Sequence, residues 1–181
     1  MTYQFHYYNS LAETGIFMAL NEFLREEKEP PVVLCIGSDL AVGDSLGPIV
    51  GTQIKKKGKD AYLYGTLRTP VTAKEIRGLN EFLKKTHPDR KIVAIDAALG
   101  EEEEVGLITV SNHALMPGAG AKKKLGKIGD VCILGIVGRK EKFCYSNLNL
   151  TRLNMVWCMS EIISEGVYSF LCNKSDAKCN G

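Results

Sequence analysis

Asp44 and Asp96 each stand at the far end of an apolar run in a chain of 181 residues. Asp44 follows Val32-Val33-Leu34-Cys35-Ile36-Gly37 after a short loop, and Asp96 directly terminates Lys91-Ile92-Val93-Ala94-Ile95. In open α/β sheets the carboxyl ends of buried strands face the crevice that takes ligands, so carboxylates on neighbouring strands would share one pocket. Two acids so close cannot both stay charged at low cost, and they must share a proton or a cation. With a proton shared, one acts as general base towards water and the other as hydrogen-bond donor to a carbonyl oxygen, with Asp44 and Asp96 as the catalytic pair. Gly37, Ser38 and the backbone amides near Gly47 would shape the pocket.

With a cation shared, a third ligand is needed, and His113 is the candidate, just past the strand-like run that ends at Val110. Asp44, Asp96 and His113 would make a divalent-metal site with open positions, and residue types alone do not choose among zinc, nickel and manganese. Plainer roles compete. Asp44 or Ser45 fits the N-cap of a following helix, and a lone loop histidine is ordinarily surface decoration. Gly43-Asp44-Ser45-Leu46 also spells the four letters of the GDSL esterases, but those need a histidine base near the chain end. This chain has His6, His87 and His113, with none in its last third.

The elements that carry these residues follow from hydrophobic periodicity. Residues 10–27 predict an amphipathic helix stopped by Pro30-Pro31, and Val32 to Ile36 predicts a strand covered on both faces. A helix from Ser45 to Lys57 tolerates Pro48 in its first turn and ends at Gly58. Residues 61–66 predict a strand, 72–86 a helix and 91–96 a strand, an alternation that argues for a mainly parallel sheet between helices. The run 105–110 follows after a loop too short for a helical crossover, which predicts an antiparallel relation to 91–96. Residues 130–137 predict another buried strand. Asn147 or Thr151 is expected to cap a long helix bearing Leu153, Val156, Met159, Ile163 and Val167, and residues 173–181 are expected to be disordered.

Composition narrows the class. Hydrophobic residues at 45% and charged residues at 24% are those of one globular domain spanning 1–181, and a net charge of +2 is too small for a nucleic-acid binder. Lysines at 55–57 and 122–124 are expected to be solvated faces. Six cysteines lack any zinc or C-x-x-C spacing, no apolar run approaches 18 residues, and Met1 to Ser10 is polar and aromatic. These features predict a reduced, soluble, cytoplasmic protein with no membrane partner. Cys35 and Cys132 are expected to be buried, inert thiols.

Three blocks carry a family resemblance: Cys35-Ile36-Gly37-Ser38 through Asp44-Ser45-Leu46-Gly47-Pro48, then Ile95-Asp96-Ala97-Ala98, then Ile108 through Pro117-Gly118-Ala119-Gly120. Over roughly residues 31–138 the chain resembles the germination protease of bacterial spores, and more closely its shorter relatives, the YyaC-type sporulation proteins. The resemblance implies a three-layer αβα sandwich with a mainly parallel mixed sheet, as in the hydrogenase maturation endopeptidases. It implies peptide hydrolysis by Asp44 and Asp96 with no required cofactor, and it adds Ala97 and Gly118 to the pocket. Small acid-soluble spore proteins are the implied substrates, the forespore or mother-cell cytoplasm the implied place, and a homo-oligomer the implied assembly. In the maturation enzymes a histidine joins two acids to bind nickel, which points again to His113. The chain is shorter than the germination protease and has no room for a propeptide, so a peptide-binding protein without catalysis is the competing expectation.

Overall fold

The structure is a computed structural model that describes residues 1–58, 61–72, 74–115, 127–140 and 148–179. Six strands form one sheet: β1 (Thr2–His6), β2 (Val32–Cys35), β3 (Leu63–Tyr64), β4 (Ile92–Gly100), β5 (Leu107–Ser111) and β6 (Val131–Arg139). Their order is β1-β5-β6-β4-β2-β3, with β3, β2, β4 and β6 parallel and β5 antiparallel to both β6 and β1. The helices are α1 (Ala12–Phe23), α2 (Leu46–Lys56), α3 (Ile76–Thr86) and α4 (Leu153–Cys179).

Side chains alternate across each strand, so the sheet separates two cores. On one face Val33, Cys35, Val93, Ile95, Ile108, Val110 and Ile133 pack against Leu20 of α1, Val50 of α2 and Met159 and Phe170 of α4. On the other, Val32, Leu34, Ile36, Ile92, Ala94 and Cys132 pack against Ile76 and Leu83 of α3. This is the expected three-layer αβα sandwich, with α4 lying between α1 and α2 on the thicker side. Burial on both faces explains why β2 and β4 have no polar alternation. It also pushes the Cys35 thiol well up and the Cys132 thiol up to about 12, burial being the first cause in each.

Several boundaries differ from expectation, each for a local reason. β1 was not expected, because its polar and aromatic residues hide an alternation in which Tyr3 and Phe5 face α1 while Thr2 and Gln4 face outward from an edge strand. α1 is shorter than 10–27 and ends at Phe23. β3 is shorter than 61–66, since reciprocal backbone bonds between Thr66 and Thr69 turn the chain away. α3 starts at Ile76, because Glu75 Oε2 accepts from the Thr72 backbone N–H and hydroxyl in a turn of its own. β4 and β6 run on to Gly100 and Arg139, pairing across an irregularity at Ala98/Leu99, so Asp96 lies within a strand and does not end it. β5 does run opposite to β4, yet β6 is inserted between them.

The expected disorder of 173–181 is also corrected. α4 continues through Cys179, and residues 180 and 181 lie outside the described set, as do Asn147 and Lys122 to Lys124. The Lys174 Nζ donates to the carbonyls of Leu24 (2.7 Å) and Glu27 (2.8 Å) just beyond α1. The Leu24 carbonyl also accepts the Glu27 N–H at 3.2 Å, and a cation added at the carbonyl end of a helix is stabilising. Lys174→Met is therefore expected to cost about 1–2 kcal/mol, read as a lower urea midpoint with an unchanged slope.

Candidate functional site

The carboxyl edge of the sheet is where Asp44 and Asp96 meet. β2 stops at Cys35, its last link to β4 being the Ile36 N–H on the Ile95 carbonyl at 2.7 Å, and the Gly37 N–H then turns to the Val71 carbonyl at 2.9 Å. Gly37 has φ +139°, and a Cβ there would lie 2.0 Å from the Asp44 carbonyl oxygen. The chain thus folds back on itself, and the Ser38 N–H bonds that same carbonyl at 3.1 Å. Gly47 makes the next close approach, since a Cβ would sit 2.1 Å from the Ile36 carbonyl oxygen. These contacts hold a single 3-10 turn, Gly43–Ser45, against β4.

Neither Asp44 nor Ser45 caps a helix. No side-chain cap bond is made at either the 3-10 turn or α2, and the Ser45 hydroxyl donates to the Val42 carbonyl at 2.6 Å. The plainer role expected for Asp44 thereby falls away. Asp96 is 7% exposed and stands on the α3 face of β4, in the row of Ala94, with Leu134 of β6 as its lateral partner. Its Oδ1 accepts from the Ala97 N–H at 2.8 Å.

Burial raises the pKa of both carboxyls above the ordinary range, and the charge of Asp44 raises Asp96 further. The Ser38 N–H pulls Asp44 back down, as the Ala97 N–H does Asp96. The half-buried Asp44 is therefore the easier of the two to ionise, and the deeper Asp96 the harder. Cys132, on the same face, has its thiol raised by burial and then by Asp96, while a bond with Ser111 lowers it.

Of the expected pocket residues, Gly37, Ser38, Gly47 and Ala97 all surround this pair, and Gly118 lies outside the described residues. His113 does not join them. Ser111 pairs with Cys132 while Asp96 pairs with Leu134, so β5 runs away from the aspartates and delivers His113 beyond the opposite end of the sheet. The separation is roughly 13 Å along the strands and two strand spacings, about 10 Å, across them. There the His113 Nε2 lies 3.5 Å from the terminal amine of Met1, which donates to Asn112 Oδ1 at 2.6 Å. The three-ligand metal set is corrected accordingly: among the described residues no group of three His, Cys, Asp or Glu is placed to hold an ion.

A cavity of about 410 Å³ opens at the same edge of the sheet, on the α4 face, across the sheet from Asp96. Its walls include Tyr7 and Tyr8 after β1, Arg139 at the end of β6, and Thr151 and Arg152 ahead of α4. A Cβ on Gly43 would lie 2.8 Å from the Thr151 Oγ1, so the segment bearing Asp44 is packed against this wall. Sequence reading missed these residues. They come from separate segments with no shared period, and the one local signal was a pair of aromatics following an unrecognised strand.

The molecule is thus an α/β sandwich with two carboxyl groups at one edge of its sheet. The chain belongs to the family described as Protein of unknown function (DUF1256), whose model matches residues 4–166. It is 39% identical over 140 residues to Uncharacterized protein YyaC of Bacillus subtilis (strain 168), an alignment that covers 77% of this chain and 68% of that protein. Among solved structures it is similar to the crystal structure of a NiFe hydrogenase maturation protease HycI from Thermococcus kodakarensis KOD1. That likeness has 16% identity and a TM-score of 0.42, over 80% of this chain and 97% of the other. Among the described residues no helix is long and apolar enough to cross a membrane.

Proposed function

We propose that the protein is a peptidase in which Asp44 and Asp96 share one proton. The observation that carries this reading is a buried Asp96, its carboxyl pushed up by burial and then by the charge of a more accessible Asp44. Ionised Asp44 takes a proton from water as the water attacks the scissile carbonyl carbon. Protonated Asp96 donates a hydrogen bond to the carbonyl oxygen as that oxygen gains charge. The proton gathered by Asp44 then passes to the leaving amine as the C–N bond breaks, restoring the starting state.

The proposed substrates are small acid-soluble spore proteins, the proposed setting the forespore or mother-cell cytoplasm, and the proposed assembly a homo-oligomer. The chemistry needs no cofactor. Incubation of the purified chain with small acid-soluble spore proteins is expected to give defined fragments, with the same yield in the presence of a chelator. Intact substrate across pH 5 to 8 would instead favour a binding protein without catalysis.

His113 has no part in this scheme, because the antiparallel β5 carries it to the far edge. His113→Ala is expected to retain fragment yield within about twofold, as is usual for a surface change away from the chemistry. A loss of two orders of magnitude or more would return the imidazole to the site.

A further inference from the structure

The cavity at the carboxyl edge of the sheet carries chemistry of its own. Among the described residues its lining includes two cationic side chains, Arg139 and Arg152, and no acidic one. The rest divides into polar groups, from Tyr7, Tyr8, Thr151 and Asn154, and an apolar surface from Val137, Leu150 and Met155. The rings of Tyr7 and Tyr8 lie 4.1 Å apart, tilted against each other. Burial pushes the Tyr7 phenol up to about 12, and the charge of Arg152, on the same cavity wall, opposes that shift. Arg139 pairs with Glu102 at 3.1 Å, but the two side chains are 58% and 73% exposed, and an ion pair so open to water holds its partners weakly.

A guanidinium beside phenols and an apolar wall is suited to a carboxylate attached to an apolar body, through charge-assisted bonds at one end and burial at the other. The volume of about 410 Å³ is within the range of small-ligand pockets, roughly 300–1,000 Å³, and large enough for one or two amino-acid residues. Position gives the group a reason to be there. The wall at Thr151 touches Gly43, next to Asp44, so a chain held at Asp44 reaches the cavity by crossing the sheet edge from the α3 face, where Asp96 lies, to the α4 face, where Val137 and Met155 lie.

We infer that this cavity is a recognition pocket for a carboxylate with an adjoining apolar group on the peptide that the aspartates cleave. The inference rests on the peptidase reading and specifies its substrate. The carboxylate has two sources, an acidic side chain within the peptide or the terminal carboxylate of the chain, and small probes tell them apart.

Trp157 is the single tryptophan of the chain and stands 48% exposed on α4, one turn beyond the lining residue Asn154, where its fluorescence can report binding. Wild-type protein is titrated with N-acetyl-phenylalanine and its amide, and with N-acetyl-Phe-Glu-amide and N-acetyl-Phe-Gln-amide. Backbone amide shifts from Thr151 to Met155, followed by NMR, read the same event independently of the indole. At least one acid is expected to bind ten times or more tightly than its neutral partner, and which acid does so identifies the source. Arg152→Gln is expected to erase that preference while leaving the fold unchanged.

Equal binding of acids and amides, no saturation by either acid, or an undiminished preference in Arg152→Gln would each overturn the pocket. The titrations involve no hydrolysis, so the two readings fail separately. A preference for acids in a chain that cuts nothing retains the pocket and removes the peptidase, and cleavage without any such preference does the reverse.

Discussion

Asp96→Asn is expected to abolish hydrolysis and, at neutral pH, to make the protein more stable. The loss should be at least ~10²–10⁴-fold in kcat, the usual range for an acid–base group. Asparagine keeps an oxygen for the Ala97 N–H and fills the same space, so the fold has no reason to suffer. The stability gain follows from the sign of the titration. In the unfolded chain an aspartate loses its proton near pH ~3.9. In the folded protein burial, and then Asp44, hold the Asp96 proton to higher pH. Between those two values the folded state binds more protons than the unfolded one, so stability falls as pH rises through that interval. Below it the wild type suffers no charge penalty from this group. Above the folded value the full cost of the buried charge is present.

Asparagine cannot ionise, so the melting temperatures of wild type and variant should diverge as pH rises from about 4 to 8, with the variant higher. In a chain of this size each 1 kcal/mol of difference appears as ~2–4 °C. Melting curves that stay parallel over the whole range would mean that Asp96 is not the buried, proton-holding member. Hydrolysis itself should have two limbs. It rises as Asp44 ionises, later than an ordinary aspartate would, and falls again as Asp96 loses its proton.

Gly37→Ala is the second large change, and it acts through the backbone. Its φ of +139° is a region that a side chain rarely enters, and the new Cβ would meet the Asp44 carbonyl oxygen at 2.0 Å and the Pro48 Cδ at 3.1 Å. Strain and overpacking each cost about 1–3 kcal/mol, so a loss of roughly 3 kcal/mol or more is expected, together with hydrolysis, because Asp44 must move away. Gly58 is the matched control. It also has positive φ, at +73°, but nothing lies within 4 Å of a Cβ there, and Gly58→Ala should cost only ~1–2 kcal/mol and leave cleavage intact. Similar urea midpoints for the two variants would show that the contact with Asp44 contributes little.

Much of this edge was legible from residue order, and the reason is physical. Val32 to Ile36 and Ile92 to Ile95 are apolar without interruption because both sheet faces are covered, and a strand buried in that way announces its own presence, although β4 runs on past Asp96 to Gly100. The carboxyl side of the sheet was predictable for both aspartates from these runs, but the position of Asp96 inside β4 was not. What stayed hidden depended on pairing between distant strands. Residues 107–111 show where β5 lies along the chain, but only its register with β6 shows that it carries His113 away from the acids. β1 was invisible for a related reason, since an edge strand with one solvated face mixes Thr2 and Gln4 with Tyr3 and Phe5. The cavity was hidden most completely, because Tyr7, Arg139 and Arg152 acquire meaning only once three separate segments converge.

The continuation of β4 and β6 past the end of β2 sets an asymmetry between the two acids. Asp96 is anchored in a hydrogen-bonded ladder on which the whole sheet depends, whereas Asp44 rides on one short turn suspended from a hairpin-like fold of the loop. Substitutions in the loop can retune the reach and basicity of one acid while the other keeps its place. A lineage of such proteins can therefore change what it accepts by editing residues 38–43 and leave its deepest residue alone.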